Sequence, residues 1–151
     1  MYRSMIVFMA ALMIFAAESF AQTPVERLIS RYADVSGAKV TDAKGSTMSV
    51  ARVILKRTPV AALAPDVDEV DILKMGGASK QYQMKFKEDL EETLKSYEFH
   101  GTHEGKNGMV DIYILPSGKD VVDELVIYNP EILTLNSLQG SFTIEALKKL
   151  E

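Results

Sequence analysis

The chain contains no cysteine among its 151 residues. This absence excludes disulfide bonds, thiolate catalysis, cysteine metal ligands and a lipid-modified cysteine. The two histidines are the only ordinary bases for a serine-type catalytic arrangement, and no Gly-x-Ser-x-Gly motif is present to expose a serine. The sequence therefore predicts no cofactor and no catalytic residues.

An excess of positive charge is also missing. The formal net charge is −4, and basic residues are interspersed with acidic ones, as in residues 85–89. Because phosphate backbones require a basic stripe, we expect no binding of nucleic acid. The mild acidity favours solubility and disfavours anionic membranes.

No apolar run is long enough to cross a bilayer. The longest, residues 5–17, has about 13 residues, whereas a spanning helix needs about 20. Arg3 precedes this run, and the small residues Ser19 and Ala21 follow it, as in a signal peptide cleaved before Gln22. We therefore expect a signal peptide over residues 1–21, a single domain over residues 22–151 and no stable membrane insertion after cleavage. An uncleaved membrane anchor is the alternative.

Four helices are predicted in the remaining chain. A Thr-Pro-Val-Glu capping box at residues 23–26 begins the first, which ends before Gly37. Ser46 or Ser49 caps the second, which ends at residues 58–59. The third covers residues 79–97 and has a Glu91–Lys95 pair on its solvent-facing side. Thr143 caps the fourth helix. The inward-facing residues are predicted to be Val25, Leu28, Ile29 and Tyr32; Val50, Val53 and Ile54; Tyr82, Phe86, Leu90, Leu94 and Tyr97; and Ile144, Leu147 and Leu150.

Strands are predicted between these helices. Residues 38–42 and 67–75 form two of them, and the period changes to two from Glu98 onward. Asn107-Gly108 predicts a hairpin turn, and further turns at residues 116–118 and 129–130 divide the rest into a four-strand meander. The predicted fold is α+β, with a mostly antiparallel sheet and helices packed on one face.

The spacing of apolar residues and glycines resembles small exported proteins of Bacteroidota in families of unknown function. The matching features are residues 25–32, Gly37, residues 70–73, and residues 133–138 with Gly140 and residues 144–150. The resemblance implies a cell-envelope protein, in some cases encoded beside envelope-stress regulators. It brings no catalytic residues to this chain.

The His-Gly-Thr-His-Glu sequence at residues 100–104 is the sharpest candidate for metal binding or proton transfer. On a strand the two histidines point to opposite faces, because their separation is odd. Only His100, Glu98 and Glu104 are expected to share a face, so they are the weak metal candidates, and surface histidines are the favoured interpretation.

Other motifs have simpler structural interpretations. The acidic residues at 66–71 lack the glycine that a calcium loop needs at its sixth position, where Asp71 stands. The Gly-Lys pairs at residues 105–106 and 118–119 lack the rest of a phosphate-binding loop. Gly76-Gly77 could expose backbone donors to an anion, but a linker before the helix is favoured.

The aromatic residues suggest a binding surface. If the sheet face opposite Val110, Ile112 and Ile114 is open, Tyr113 with Leu115 forms an exposed apolar patch, extended by Leu135. The favoured hypothesis is thus a non-enzymatic, exported binding module that binds an envelope protein or ligand through this sheet face or through an edge strand. The alternatives are a regulatory partner of an envelope-stress system and a small hydrolase that uses carboxylates near His100.

Overall fold

The computed structural model of the protein describes residues 22–58 and 60–150. The predicted signal peptide lies outside these residues. No helix in the described part is long and apolar enough to cross a membrane. The elements are, in chain order, α1 (Pro24–Tyr32), β1 (Lys39–Lys44), α2 (Met48–Leu55), β2 (Val67–Lys74), α3 (Lys80–Thr93), β3 (Glu98–Gly105), β4 (Gly108–Pro116), β5 (Val121–Asn129), β6 (Thr134–Thr143) and α4 (Ile144–Lys148), with 3₁₀ helices at Gly45–Thr47, Ala61–Asp66 and Leu94–Ser96.

The strands form one six-stranded sheet in the order β1-β2-β6-β5-β4-β3. Every strand pair is antiparallel, and β3 to β6 make the predicted meander. β2 pairs with β6, which extends the meander by the β1-β2 pair and leaves β1 and β3 at the edges. The α+β fold predicted from the sequence is confirmed.

Helices cover both faces of the sheet, whereas one covered face was expected. Successive residues of a strand point to opposite faces. Leu125 packs in a core with α2, α4 and the 3₁₀ helix Ala61–Asp66, and its neighbour Val126 packs in a second core with α1 and α3. Both faces of the central strands are apolar, so each needs a cover. We call the two sides the α2–α4 face and the α1–α3 face.

The start of α1 follows the prediction. The Thr23 hydroxyl accepts a hydrogen bond from the Glu26 amide at 3.1 Å, and the Glu26 carboxylate accepts one from the Thr23 amide at 2.9 Å. Tyr32, at the far end, packs edge-on against Phe86 of α3 with ring centroids 5.4 Å apart. The predicted inward face of α1 is buried in the α1–α3 core.

The predicted stripe of α3 is buried except at its start. Phe86, Leu90 and Tyr97 are buried and Leu94 packs against the same core, but Tyr82 is 44% exposed. Each step of four residues advances by about 40° beyond a full turn, so a stripe with this spacing winds off the buried side. The helix tightens into 3₁₀ geometry at Leu94–Ser96. The predicted Glu91–Lys95 pair is accordingly replaced by a Glu92–Lys95 pair at 3.0 Å.

The predicted orientation of α2 is wrong. Val50, Val53 and Ile54 face outward, while Met48 and Leu55 are buried. The inward set also has helical spacing, because α2 is apolar on almost every side and periodicity alone does not choose a face. Neither proposed serine caps it: the N-cap is Thr47, without a side-chain hydrogen bond. α4 agrees with its prediction, since Thr143 caps it and Leu147 is buried.

Candidate functional site

A groove with a volume of about 690 Å³ crosses the α2–α4 face. Its floor is made by side chains of five neighbouring strands, β1, β2, β6, β5 and β4. Strands are about 4.8 Å apart, so the floor extends about 19 Å across the sheet. The apolar floor residues are Ala43, Val70, Ile72, Leu138, Ile127 and Val110.

The groove has walls on two sides. One wall is α2, through Val50, Ala51 and Ile54. The other is formed by the β3–β4 turn at residues 105–107 and by Ile132 in the β5–β6 connection. Both walls are thus built by connections between neighbouring strands, β1–β2, β3–β4 and β5–β6.

The groove exists because the helices on this face cover only part of it. α4 and the 3₁₀ helix Ala61–Asp66 fill the half of the face that contains Val122 and Phe142, which are both fully buried. Over the other half, Ile72 and Ile127 are only half-buried. Apolar floor residues therefore remain accessible to a ligand.

Polar groups in the groove are hydroxyls and amides. Thr41, Thr134 and Asn136 lie among the apolar floor residues. The Asn136 amide donates a hydrogen bond to the Ile127 carbonyl at 3.3 Å. Asn129 links the β5–β6 connection to the β3–β4 turn, because its side-chain amide donates a hydrogen bond to the Asn107 carbonyl at 3.1 Å. Such a lining suits a largely apolar ligand with a few polar atoms.

Two charged residues border the groove. Lys106 is exposed in the β3–β4 turn. Asp42 lies opposite Asp71 in the β1–β2 register. Alternation along the strands places the side chains of both aspartates on the α1–α3 face. Of the two charged residues that border the groove, Lys106 is therefore the one whose side chain can contact a ligand there.

The predicted patch of Tyr113, Leu115 and Leu135 is on the opposite, α1–α3 face. α1 and α3 cover the central part of that face. Leu135 is fully buried, and Tyr113 and Leu115 are half-buried against the core. Tyr113 also contacts Phe99 edge-on, with ring centroids 5.4 Å apart. Phe99 is 59% exposed, so the outer part of this face keeps accessible apolar surface beside Tyr113.

The weak metal candidates do not come together. Glu98 pairs with Ile114, while Glu104 pairs with Met109. A bulge between Phe99 and Gly101 shifts the register, so the two carboxylates lie on opposite faces and about 20 Å apart along the strand. His100 lies at the bulge, and its buried Nε2 has no hydrogen-bond partner in the described residues.

A buried carboxylate network on the α1–α3 face was missed from the sequence. Glu124 of β5 has no exposed surface. Its carboxylate accepts hydrogen bonds from the hydroxyls of Tyr97 at 2.5 Å, Ser137 at 2.5 Å and Thr23 at 3.0 Å. Burial raises the pKa of Glu124, and the three hydroxyl donors oppose that rise. The sequence does contain a sign of this network. Glu124 and Val126 are two residues apart on one strand and therefore share a face, so an acid at position 124 is expected to be buried beside Val126.

The same hydroxyl network fixes the start of α1. The Tyr97 hydroxyl accepts a hydrogen bond from the Val25 amide at 3.0 Å, while it donates to Glu124. Burial raises the pKa of Tyr97, and the nearby Glu124 carboxylate adds to the effect. The network therefore links α1, β5 and β6, which is a structural role.

Three further carboxylates lie beside this network. Oxygen atoms of Glu26, Glu69 and Asp71 are within 4.8 Å of one another. Oxygen ligands of this kind suit a hard cation. Glu26 already accepts the Thr23 amide, and Asp71 accepts the Gln139 amide at 3.3 Å. Burial, followed by repulsion from Glu69 and Glu26, raises the pKa of Asp71 to about 7.

The raised pKa of Asp71 predicts that pH changes stability. The unfolded value is about 3.9, so the contribution of Asp71 is complete below about pH 4 and is lost as pH rises through about 7. Asp71→Asn keeps an acceptor for Gln139 but cannot ionise. We expect this variant to exceed the wild type in unfolding free energy by about 1 to 2 kcal/mol at pH 8, after allowing for solvent screening, and not at pH 4.

Urea denaturation at the two pH values measures this difference. Asp68→Asn, which removes an exposed carboxylate of the same strand, controls for the loss of one charge. An equal offset between Asp71→Asn and the wild type at both pH values would contradict the prediction.

Comparison with known protein families, with curated proteins and with solved structures finds no match for this chain.

Proposed function

We propose that the protein is an exported, non-enzymatic binding module and that its ligand is an elongated apolar or amphipathic small molecule held in the groove. The groove itself carries this proposal. Its volume of about 690 Å³ lies in the range of about 300 to 1,000 Å³ common to small-molecule sites. The apolar run at residues 5–17, and the resemblance to exported Bacteroidota families, support an envelope location.

The shape and chemistry of the lining support an acyl-chain ligand. A floor about 19 Å long, formed by side chains of five strands, matches an extended chain better than a compact ring. Ile54 and Ile132, which are 60% and 43% exposed, would lose water contact on binding, and this favours association. Lys106 and Asn107 lie in the wall formed by the β3–β4 turn, where they suit the polar head of an amphiphile.

Two neighbouring residues of β1 provide a matched test. Thr41 lines the groove, whereas Val40 precedes it and points to the opposite face. Both side chains are exposed, so the large residue tryptophan is tolerated at either position. Thr41→Trp fills part of the groove. Losing about 60 Å² of apolar contact costs about 1.5 kcal/mol, and we therefore expect affinity to fall about tenfold or more.

The probe is a dansylated undecanoic acid, titrated into protein that begins at residue 22. The proposal expects saturable fluorescence enhancement for the wild type and for Val40→Trp, with weaker binding by Thr41→Trp. Equal binding by both tryptophan variants, or no saturable binding by the wild type, would contradict it.

A further inference from the structure

The exposed side of α2, which includes its part of the groove wall, carries an apolar stripe that no described element covers. Val50, Val53 and Ile54 follow the i, i+3, i+4 spacing of one helix face and are 65%, 54% and 60% exposed. Single exposed apolar residues are common on globular domains, but three contiguous ones on a helix of eight residues indicate a contact surface. We call these three residues the docking stripe.

Positive charge surrounds the docking stripe. Residues 43–65 contain four cations, Lys44, Arg52, Lys56 and Arg57, and no Asp or Glu. Lys44 precedes the helix, and Lys56 and Arg57 follow it, all three exposed. None of these three exposed cations forms a salt bridge with any residue in 22–58 or 60–150, whereas the half-buried Arg52 donates a hydrogen bond to the Val67 carbonyl at 2.9 Å. This local charge contrasts with the net charge of −4 of the whole chain, so the acidic character lies elsewhere.

We infer that the docking stripe binds the surface of a bilayer containing anionic phospholipid, with α2 lying in the interface. An exposed apolar face beside Lys and Arg residues is the arrangement of helices that bind at membrane interfaces. Each cation near an anionic leaflet adds to binding by direct attraction. The net negative charge of the whole chain disfavours anionic membranes. The segment that would contact the membrane is cationic, however, and is therefore attracted to anionic head groups.

The composition of the stripe favours lipid over a protein partner. Protein interfaces concentrate their binding energy in Trp, Tyr and Arg packed into pockets. The docking stripe is aliphatic, is more than half exposed and has cations at both ends, which matches acyl chains beneath a layer of negative head groups.

This inference goes beyond ligand binding and does not depend on it. Val50 and Ile54 also line the groove, but Val53 does not. A change at Val53 therefore removes membrane contact while the groove lining stays intact. Docking through α2 would bring the mouth of the groove next to the lipid surface.

Vesicle flotation tests the inference with protein that begins at residue 22, which contains both hydrophobic cores. The vesicles are phosphatidylcholine alone, or phosphatidylcholine with phosphatidylglycerol. We expect binding only to the anionic vesicles, with a loss of about tenfold or more for Val53→Asp and for Lys56→Glu/Arg57→Glu. Binding should weaken between about 0.05 M and about 0.5 M salt.

Helix α3 supplies the controls. Met84 is 64% exposed, and Lys85 and Lys87 lie beside it. Met84→Asp and Lys85→Glu/Lys87→Glu make the same changes away from the docking stripe and should leave flotation unchanged. Circular dichroism confirms that each variant is folded.

An introduced tryptophan gives an independent readout, because the chain has none. The emission of Val53→Trp should shift to the blue when anionic vesicles are added, and that of Met84→Trp should not. Equal loss of flotation in the α3 controls, no binding by the wild type, or a dimer in analytical ultracentrifugation that Val53→Asp dissociates would each overturn the inference.

Discussion

Glu124→Ala is expected to lower the free energy of unfolding by about 3 to 4 kcal/mol, because it leaves several buried hydroxyls without an acceptor and opens a cavity. The carboxylate is fully buried and accepts hydrogen bonds from Tyr97, Ser137 and Thr23. Unpaired buried polar groups cost more than the hydrogen bonds contributed. Chemical denaturation at neutral pH measures the loss.

Glu124→Gln is the informative control. The amide has nearly the shape of the carboxyl group and keeps one acceptor oxygen, so no cavity forms. We expect a loss of about 1 to 2 kcal/mol. A loss below about 1 kcal/mol for Glu124→Ala would contradict the network's structural role.

Gly37→Ala is expected to cost about 3 kcal/mol or more, because the backbone there admits no β-carbon. Gly37 has a φ angle of +90°, and a β-carbon on it would overlap the carbonyl group of Gly77. A β-carbon on Gly77 would in turn lie 2.8 Å from the Gly37 carbonyl oxygen. This contact joins the α1–β1 connection to the β2–α3 connection, which explains Gly77 without an anion site.

The reciprocal contact predicts that the two substitutions are not additive. Once Gly37→Ala has pushed the two connections apart, Gly77→Ala should add less than it costs alone. Gly118→Ala is the control, since a β-carbon on Gly118 meets no atom within 4 Å. Additive losses for the double variant, measured by thermal denaturation, would contradict a shared backbone contact.

The sequence predicted the elements that depend on interactions between residues close together in the chain. The Thr23–Glu26 capping box fixes the start of α1, and the period of two after Glu98 predicts the meander. These features depend on residues a few positions apart, so the sequence displays them directly.

Tertiary choices were not visible in the sequence. Nearly every side of α2 is apolar, and only the position of the sheet decides that Met48 faces in and Val53 faces out. The bulge at Phe99–Gly101 separates Glu98 from Glu104, although strand alternation alone would align them. The groove lies on the part of the α2–α4 face that α4 does not cover. No local sequence pattern predicts how much of the face α4 covers.

Methyl NMR during titration with undecanoic acid tests the groove most directly. Ile54, Ile72, Ile127 and Ile132 line the groove, and Ile29 is buried in the core on the opposite face. Binding in the groove predicts saturable shifts of the four lining isoleucine methyls, with Ile29 unchanged. Shifts centred on Ile29, or no saturable shift of the lining methyls, would contradict the groove as the ligand site.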